Sequence, residues 1–437
     1  MSHAVPSPPA PPGAPPPGPG RGGRWSRTVR RLAAVVALAT GAALAGPGVA
    51  GAAPAGPVAA EARASAALER VTSFGANPGG LNMYVYRPAA LPANAPVVVA
   101  LHGCTQSAQV YSDNAGLNAF AERHGFLVVY AETTTANNAN KCFNWFQPGD
   151  TRRGQGEAAS IRQMVAHAAT AYGADTGRVQ VTGLSAGGAM TSVMLAAYPD
   201  VFAAGAVVAG IPYGCGVDVV SAFGCMSPGV DRTPAAWAQA VRDAHPGFAG
   251  PWPRVAIWHG DNDATVAPRN ADELRDQWTA VHGVGQTPDR TSTTGPNGTR
   301  RSEYLAADGG ASVVEVNRVP GIGHGTPVDP GSGTEQCGAT GTQHFIDSIC
   351  SSYWITRFFG LDGTTAPEPP VDPPTEPAAC WTANNYEHVR AGRATTTGGQ
   401  VYAKGSGQHL GLYNTFVTHT LKESPAGHYV LADGSCP

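Results

Sequence analysis

The stretch RVQVTGLSAGGAMTSVMLAAYPD, residues 178–200, constrains this chain more than any other. An apolar run, RVQV, reads as a strand. A helix-like segment, AMTSVMLAAYPD, follows. Between them lies Gly183-Leu184-Ser185-Ala186-Gly187-Gly188. A turn that reverses so sharply brings two backbones together, and glycines at 183 and 187 permit that approach. Ser185 would then stand exposed at the head of a helix, where free N–H groups favour a developing negative charge. Strand, G-x-S-x-G and helix together form the context of a nucleophile elbow.

The surrounding chain repeats the same alternation. Strand-like runs are MYVYR (83–87), PVVVALHG (96–103), FLVVYAE (126–132), RVQVTGLS (178–185), FAAGAVVAG (202–210), RVAIWHG (254–260) and SVVEVNRV (312–319). Several are apolar throughout, as parallel strands covered on both faces must be. Helix-like segments lie between them, among them 156–172 and 271–283, and a last helix over FIDSICSSYWITRFFG closes the unit. Alternating strands and helices define an α/β class with a mainly parallel sheet over about residues 65–361.

A serine hydroxyl is a weak nucleophile and needs a base, itself oriented by an acid. The expected chain order is serine, acid, histidine. RVAIWHGDNDATV offers Asp261 and Asp263 after a strand, and Asp263, further past the strand end, is the better placed. His324 lies between Gly323 and Gly325 after the next strand. His245, His282 and His344 fall in helical or polar stretches and read as surface or packing residues. The oxyanion donors are the Ala186 amide and, after the strand ending at His102-Gly103, the Cys104 amide. His102 stands beside this loop as a substrate-side or supporting residue, and Trp145 and Phe146 are candidate apolar substrate contacts. This chemistry calls for no metal or organic cofactor.

Arginines 21, 24, 27, 30 and 31 precede an apolar run at 32–45 and the small residues Ala50-Gly51-Ala52. That order is the one a secretory signal has, so residues 1–53 are expected to be a leader and signal peptide. Eight cysteines follow it. In an exported chain such an even number implies disulfides. Joining nearest neighbours gives Cys104–Cys142, Cys215–Cys225, Cys337–Cys350 and Cys380–Cys436. A formal net charge of −3 gives no electrostatic case for nucleic acid or an anionic membrane as partner. No apolar run reaches the roughly 20 residues of a membrane span. Oligomeric state is open, with a monomer the expectation.

Residues 362–377 hold six prolines and read as a stiff linker. Residues 378–437 form a small module whose thin core a disulfide would stabilise. Within it, GLYNTFVTHTLK (411–422) alternates with period two and reads as one strand. Tyr413 and Phe416 are then expected in the module's core.

Taken together, LHGC, GLSAGG, HGDNDATV and GIGHGTPVD resemble secreted esterases of the poly(3-hydroxybutyrate) depolymerase type. These are α/β-hydrolases related to feruloyl and acetylxylan esterases. The tail, CWTANNYEHVRAGRA … GLYNTFVTHTLK, is similar to the C-terminal substrate-binding domain of extracellular depolymerases. The resemblance implies Ser185, Asp263 and His324 as the triad, an insoluble polyester as partner and monomers or short oligomers as products. The main alternative is a feruloyl or acetylxylan esterase whose tail binds polysaccharide. A non-enzymatic adhesin built on a dead hydrolase fits poorly, because every triad and oxyanion position is filled.

Overall fold

The computed structural model describes residues 68–363, 380–423 and 427–434. The expected signal segment, and the proline-rich linker beyond Gly363, lie outside the described residues. The first stretch is built on one sheet of ten strands: β1 (Glu69–Val71), β2 (Asn82–Tyr86), β3 (Val97–Leu101), β4 (Leu127–Glu132), β5 (Val179–Leu184), β6 (Ala204–Val208), β7 (Arg254–Gly260), β8 (Arg290–Thr294), β9 (Thr299–Leu305) and β10 (Ser312–Val319). Their spatial order is β1-β2-β4-β3-β5-β6-β7-β10-β9-β8. From β4 to β10 neighbouring strands run parallel, and antiparallel pairs close both edges.

The helices are α1 (Ala108–Ala115), α2 (Leu117–His124), α3 (Pro148–Thr151), α4 (Gly156–Tyr172), α5 (Ala186–Ala197), α6 (Val219–Met226), α7 (Pro234–Ala244), α8 (Arg269–His282) and α9 (Ser351–Phe358). They divide between the two faces of the sheet. Along β3, Val97, Val99 and Leu101 pack with residues of α4, α5, α7 and α8. Val98 and Ala100 pack with those of α1, α2 and α9. A strand buried on both sides must be apolar at every position, which is why VVVAL shows no alternation.

Each strand read from the sequence lies at its expected place, and α4 spans 156–172 at both ends. The polar strands β8 and β9 escape such a reading because neither carries an apolar run: β8 is the edge strand with its side chains largely in water, and β9 beside it is mostly polar and half-buried. The last helix is shorter than expected. Phe345–Asp347 forms a short strand, β12, beside β11 (Thr326–Val328), and α9 starts only after Cys350. Three of the nearest-neighbour disulfides are formed, Cys104–Cys142, Cys215–Cys225 and Cys337–Cys350. Cys380 is also disulfide-bonded; its expected partner Cys436 lies outside the described residues.

The tail carries two small antiparallel sheets: β13 (Cys380–Asn384) with β17 (Thr418–Glu423) and β18 (Tyr429–Leu431), and β14 (Ala394–Thr397) with β15 (Gln400–Ala403) and β16 (His409–Leu412). One short helix, α10 (Asn385–Arg390), accompanies them. Its core is as thin as its length implies: Ala394, Val401, Ala403, Leu410 and Leu421. The expectation of one strand over 411–422 is corrected. Asn414 Oδ1 accepts the amides of Phe416 and Val417 at 2.8 and 2.9 Å, and this side-chain turn separates β16 from β17. Tyr413 and Phe416 therefore leave the core, and Phe416 is 91% exposed.

Candidate active site

Ser185 sits between β5 and α5 with φ 58° and ψ −118°, a conformation L-residues avoid and one that costs about 1–3 kcal/mol. The turn persists because its surroundings leave it no alternative. The Ser185 amide donates to the Val208 carbonyl at 2.9 Å. A Cβ on Gly183 would lie 2.6 Å from the Gly187 backbone, and one on Gly187 would lie 2.6 Å from the His102 carbonyl oxygen. Both glycines are thus required by close packing of β3, β5 and α5.

The loops after β7 and β10 bring the other two groups. Ser185 Oγ lies 2.8 Å from His324 Nε2, and His324 Nδ1 lies 2.7 Å from Asp263 Oδ2. Asp263 Oδ1 accepts the amides of Thr265 and Val266 at 2.9 and 2.8 Å. Burial alone would raise this carboxyl. Hydrogen bonds from His259 and His324, with the His324 charge and the Val266 amide, overcome that and hold it well below the usual carboxylate range. An ionised carboxylate can only accept, so Nδ1 of His324 carries the proton and Nε2 faces the serine hydroxyl as an acceptor. Asp261 points elsewhere and pairs with Arg300 at 2.7 Å.

His259, the penultimate residue of β7, also holds Asp263. Its Nε2 lies 2.9 Å from the Val266 carbonyl and 3.4 Å from Asp263 Oδ2, both of them acceptors, so Nε2 is its protonated nitrogen. Its only sequence signal is the four-residue spacing to Asp263.

The loop after β3 is fixed at several points. The Gly103 amide donates to Gln106 Oε1 at 2.9 Å and the Thr105 amide to the Asn140 carbonyl at 2.7 Å. The Cys104–Cys142 bridge ties the intervening residue down. The Cys104 amide has no acceptor among the described residues. Ala186 opens α5, so its amide likewise has no acceptor within the helix.

His102 is corrected from a substrate-side residue to a support. It is fully buried, its Nδ1 donates to the Gly103 carbonyl at 2.7 Å, and its Nε2 accepts the Thr133 amide at 3.2 Å. Burial lowers its pKa to about 4, against a smaller opposing effect of the Gly103 bond, and keeps it neutral.

Ser185 and His324 open on a cavity of about 400 Å³. Trp145 and Phe146, packed edge-to-face at 5.3 Å, line it as expected, together with Ile211, Phe223 and Met226. His344 lines it too, which corrects its reading as a surface or packing residue. Its ring lies 5.6 Å from that of His324, and its Nδ1 lies 3.1 Å from the His324 carbonyl. A left-handed backbone, φ 69°, turns it inward, and no local pattern announces such a turn.

An elbow serine, a histidine and a buried carboxylate on a doubly covered parallel sheet define a serine hydrolase of the α/β-hydrolase fold. Residues 81–301 match the family described as Esterase PHB depolymerase. The chain is 52% identical over 297 residues to poly(3-hydroxyalkanoate) depolymerase C of Paucimonas lemoignei, covering 68% of this chain and 71% of that one. It belongs to the PHB depolymerase esterase family. It is also 39% identical over 273 residues to an acetylxylan esterase of Coprinopsis cinerea, covering 61% of this chain and 71% of the relative. Among solved structures it resembles an acetyl xylan esterase from Aspergillus awamori. The two are 32% identical with a TM-score of 0.54, over 59% of this chain and 94% of the other.

Proposed function

We propose that this esterase is secreted and hydrolyses the ester bonds of poly(3-hydroxybutyrate) or a similar polyhydroxyalkanoate. Products are monomers and short oligomers, and residues 378–437 serve as a polymer-binding domain. The observation that carries the reading is the Ser185–His324–Asp263 relay opening on an apolar cavity. The relative named for poly(3-hydroxyalkanoate) supports the substrate class. Disulfides in the catalytic unit fit an oxidising compartment.

Ser185 Oγ attacks the ester carbonyl while His324 Nε2 takes its proton. Asp263 holds the imidazole in the required tautomer and stabilises the imidazolium. The amides of Ala186 and Cys104 donate to the oxyanion. Collapse releases the alcohol end of the chain, protonated by His324. A water activated by the same nitrogen then hydrolyses the acyl-serine and restores the hydroxyl.

The acetylxylan esterase reading draws on the Coprinopsis and Aspergillus relatives. Parallel assays on a suspension of poly(3-hydroxybutyrate) granules and on acetylated xylan separate the two. Clearing of the granules with release of 3-hydroxybutyrate supports the polyester reading. Release of acetate from xylan with granules left intact rejects it.

A further inference from the structure

Eight large apolar side chains stand exposed among the described residues, and they are not scattered. Four are in the tail: Tyr386, Leu412, Tyr413 and Phe416. The other four are Val217, Val219, Val220 and Phe223, within one seven-residue run of the catalytic unit. Single exposed apolar residues need no explanation, but a contiguous patch does.

This run is on and just before α6, and it is built rigidly. Asp218 caps the helix, its carboxylate accepting the Ser221 amide and hydroxyl at 2.7 Å each. Cys215–Cys225 ties the helix to the loop before it. The face is continuous with the active site: Val219 and Phe223 belong both to the exposed run and to the wall of the cavity that holds Ser185 and His324.

We propose that the outer face of α6 is a docking platform by which the catalytic unit seats itself on solid aliphatic polyester. It would hold the chain segments flanking the scissile ester. This rests on the polyester reading given above. Continuity with the Ser185 cavity argues for substrate as the occupant. So does the chemistry of the face: its three valines offer no hydrogen-bond partner to a polysaccharide hydroxyl, and the one acidic group, Asp218, is engaged in capping. Methyl and methylene groups of a polyester can cover such a surface. A helix already capped and bridged loses little freedom when they do.

The test uses the full chain with Val217→Ser/Val220→Ser, two positions outside the cavity wall, and separately Val220→Lys. Product release from a poly(3-hydroxybutyrate) film is divided by turnover of soluble p-nitrophenyl acetate. Normalising in this way cancels any loss of folded protein. The ratio is expected to fall about tenfold in both variants, and Val217→Ile/Val220→Ile to retain it. An unchanged ratio, with the parent chain active on film, overturns the platform and leaves the polyester reading standing. A dimeric parent, a monomeric variant and an unchanged ratio, read by light scattering, would reassign the face to self-association. If the parent releases nothing from film, the polyester reading fails and takes the platform with it.

Discussion

His324 Nδ1 and Asp263 Oδ2 are 2.7 Å apart, and both oxygens of that carboxylate are held by further donors. Such a group is a fixed anion whose function is to set the tautomer of its histidine. Asp263→Asn should keep the geometry but favour the wrong tautomer, lowering kcat on a soluble ester by about 10⁴-fold with little change in KM. Asp261→Asn removes only a surface ion pair with Arg300 and should stay within about twofold of the parent. Steady-state kinetics on both variants check the assignment; equal losses would contradict it.

Cys142 contributes to the site through the backbone of Cys104. The bridge between them fixes the loop that carries the Cys104 amide, the donor proposed above for the oxyanion. Cys142→Ala leaves that amide in the chain but frees its position. The expected loss is in kcat, about ten- to a hundredfold, below the full cost of deleting a donor. A change confined to thermal stability would show that the bridge has no part in placing the amide.

Burial makes stability depend on pH in two opposing ways. His102 and His282 are both held at about 4 by burial, below their ordinary 6.5. Each keeps the fold neutral while the unfolded chain takes up a proton, so stability is present above 6.5 and is lost as pH falls towards 4. Each contributes about 3 kcal/mol over that range. Glu157 is pushed up to about 8 by burial, against its bond from the Asn144 amide. Its contribution is complete below 4.5 and is lost as pH rises to 8, about 5 kcal/mol in all. The two histidines outweigh Glu157 on the acid side, so stability should peak near pH 6.5. Denaturant titrations should show a flatter alkaline limb for Glu157→Gln. An unaltered limb in that variant would contradict the buried-carboxyl account.

The tail presents Tyr386 and Tyr413, ring centroids 5.6 Å apart, with Leu412 and Phe416 nearby in sequence and exposed. A soluble ester reaches Ser185 unaided, whereas an insoluble polymer must be found, and a tethered binder raises the local enzyme concentration. Ending the chain near Asp362 should leave soluble-ester turnover within about twofold and reduce granule hydrolysis about tenfold or more. Phe416→Ser should weaken granule adsorption in the same direction. Equal losses on both substrates would mean that the tail supports the catalytic unit rather than the polymer.

Much of the catalytic unit was readable from residue order. Doubly buried strands such as VVVAL carry a local apolar signature, and Ser185, Asp263 and His324 each follow a strand in the order their chemistry needs. What escaped was information without local pattern. An apolar helix face has the same spelling whether it packs, like most of α5, or faces water, like Val219, Val220 and Phe223. His344 reaches the cavity through a left-handed turn, and His259 meets Asp263 only through the loop that follows β7. In the tail the letters alternate, but Leu412 and Tyr413 are both exposed, and one carboxamide accepting two backbone amides breaks the strand at Asn414 and turns Phe416 outward.

On the function proposed above, Ser185 opens the ester bonds of a polyhydroxyalkanoate. The most direct measurement incubates poly(3-hydroxybutyrate) granules with the full chain and with Ser185→Ala, quantifying bound protein and released 3-hydroxybutyrate. Binding should be equal, release by the parent steady, and release by the variant reduced at least about 10³-fold. Undiminished release by Ser185→Ala would contradict this role of Ser185.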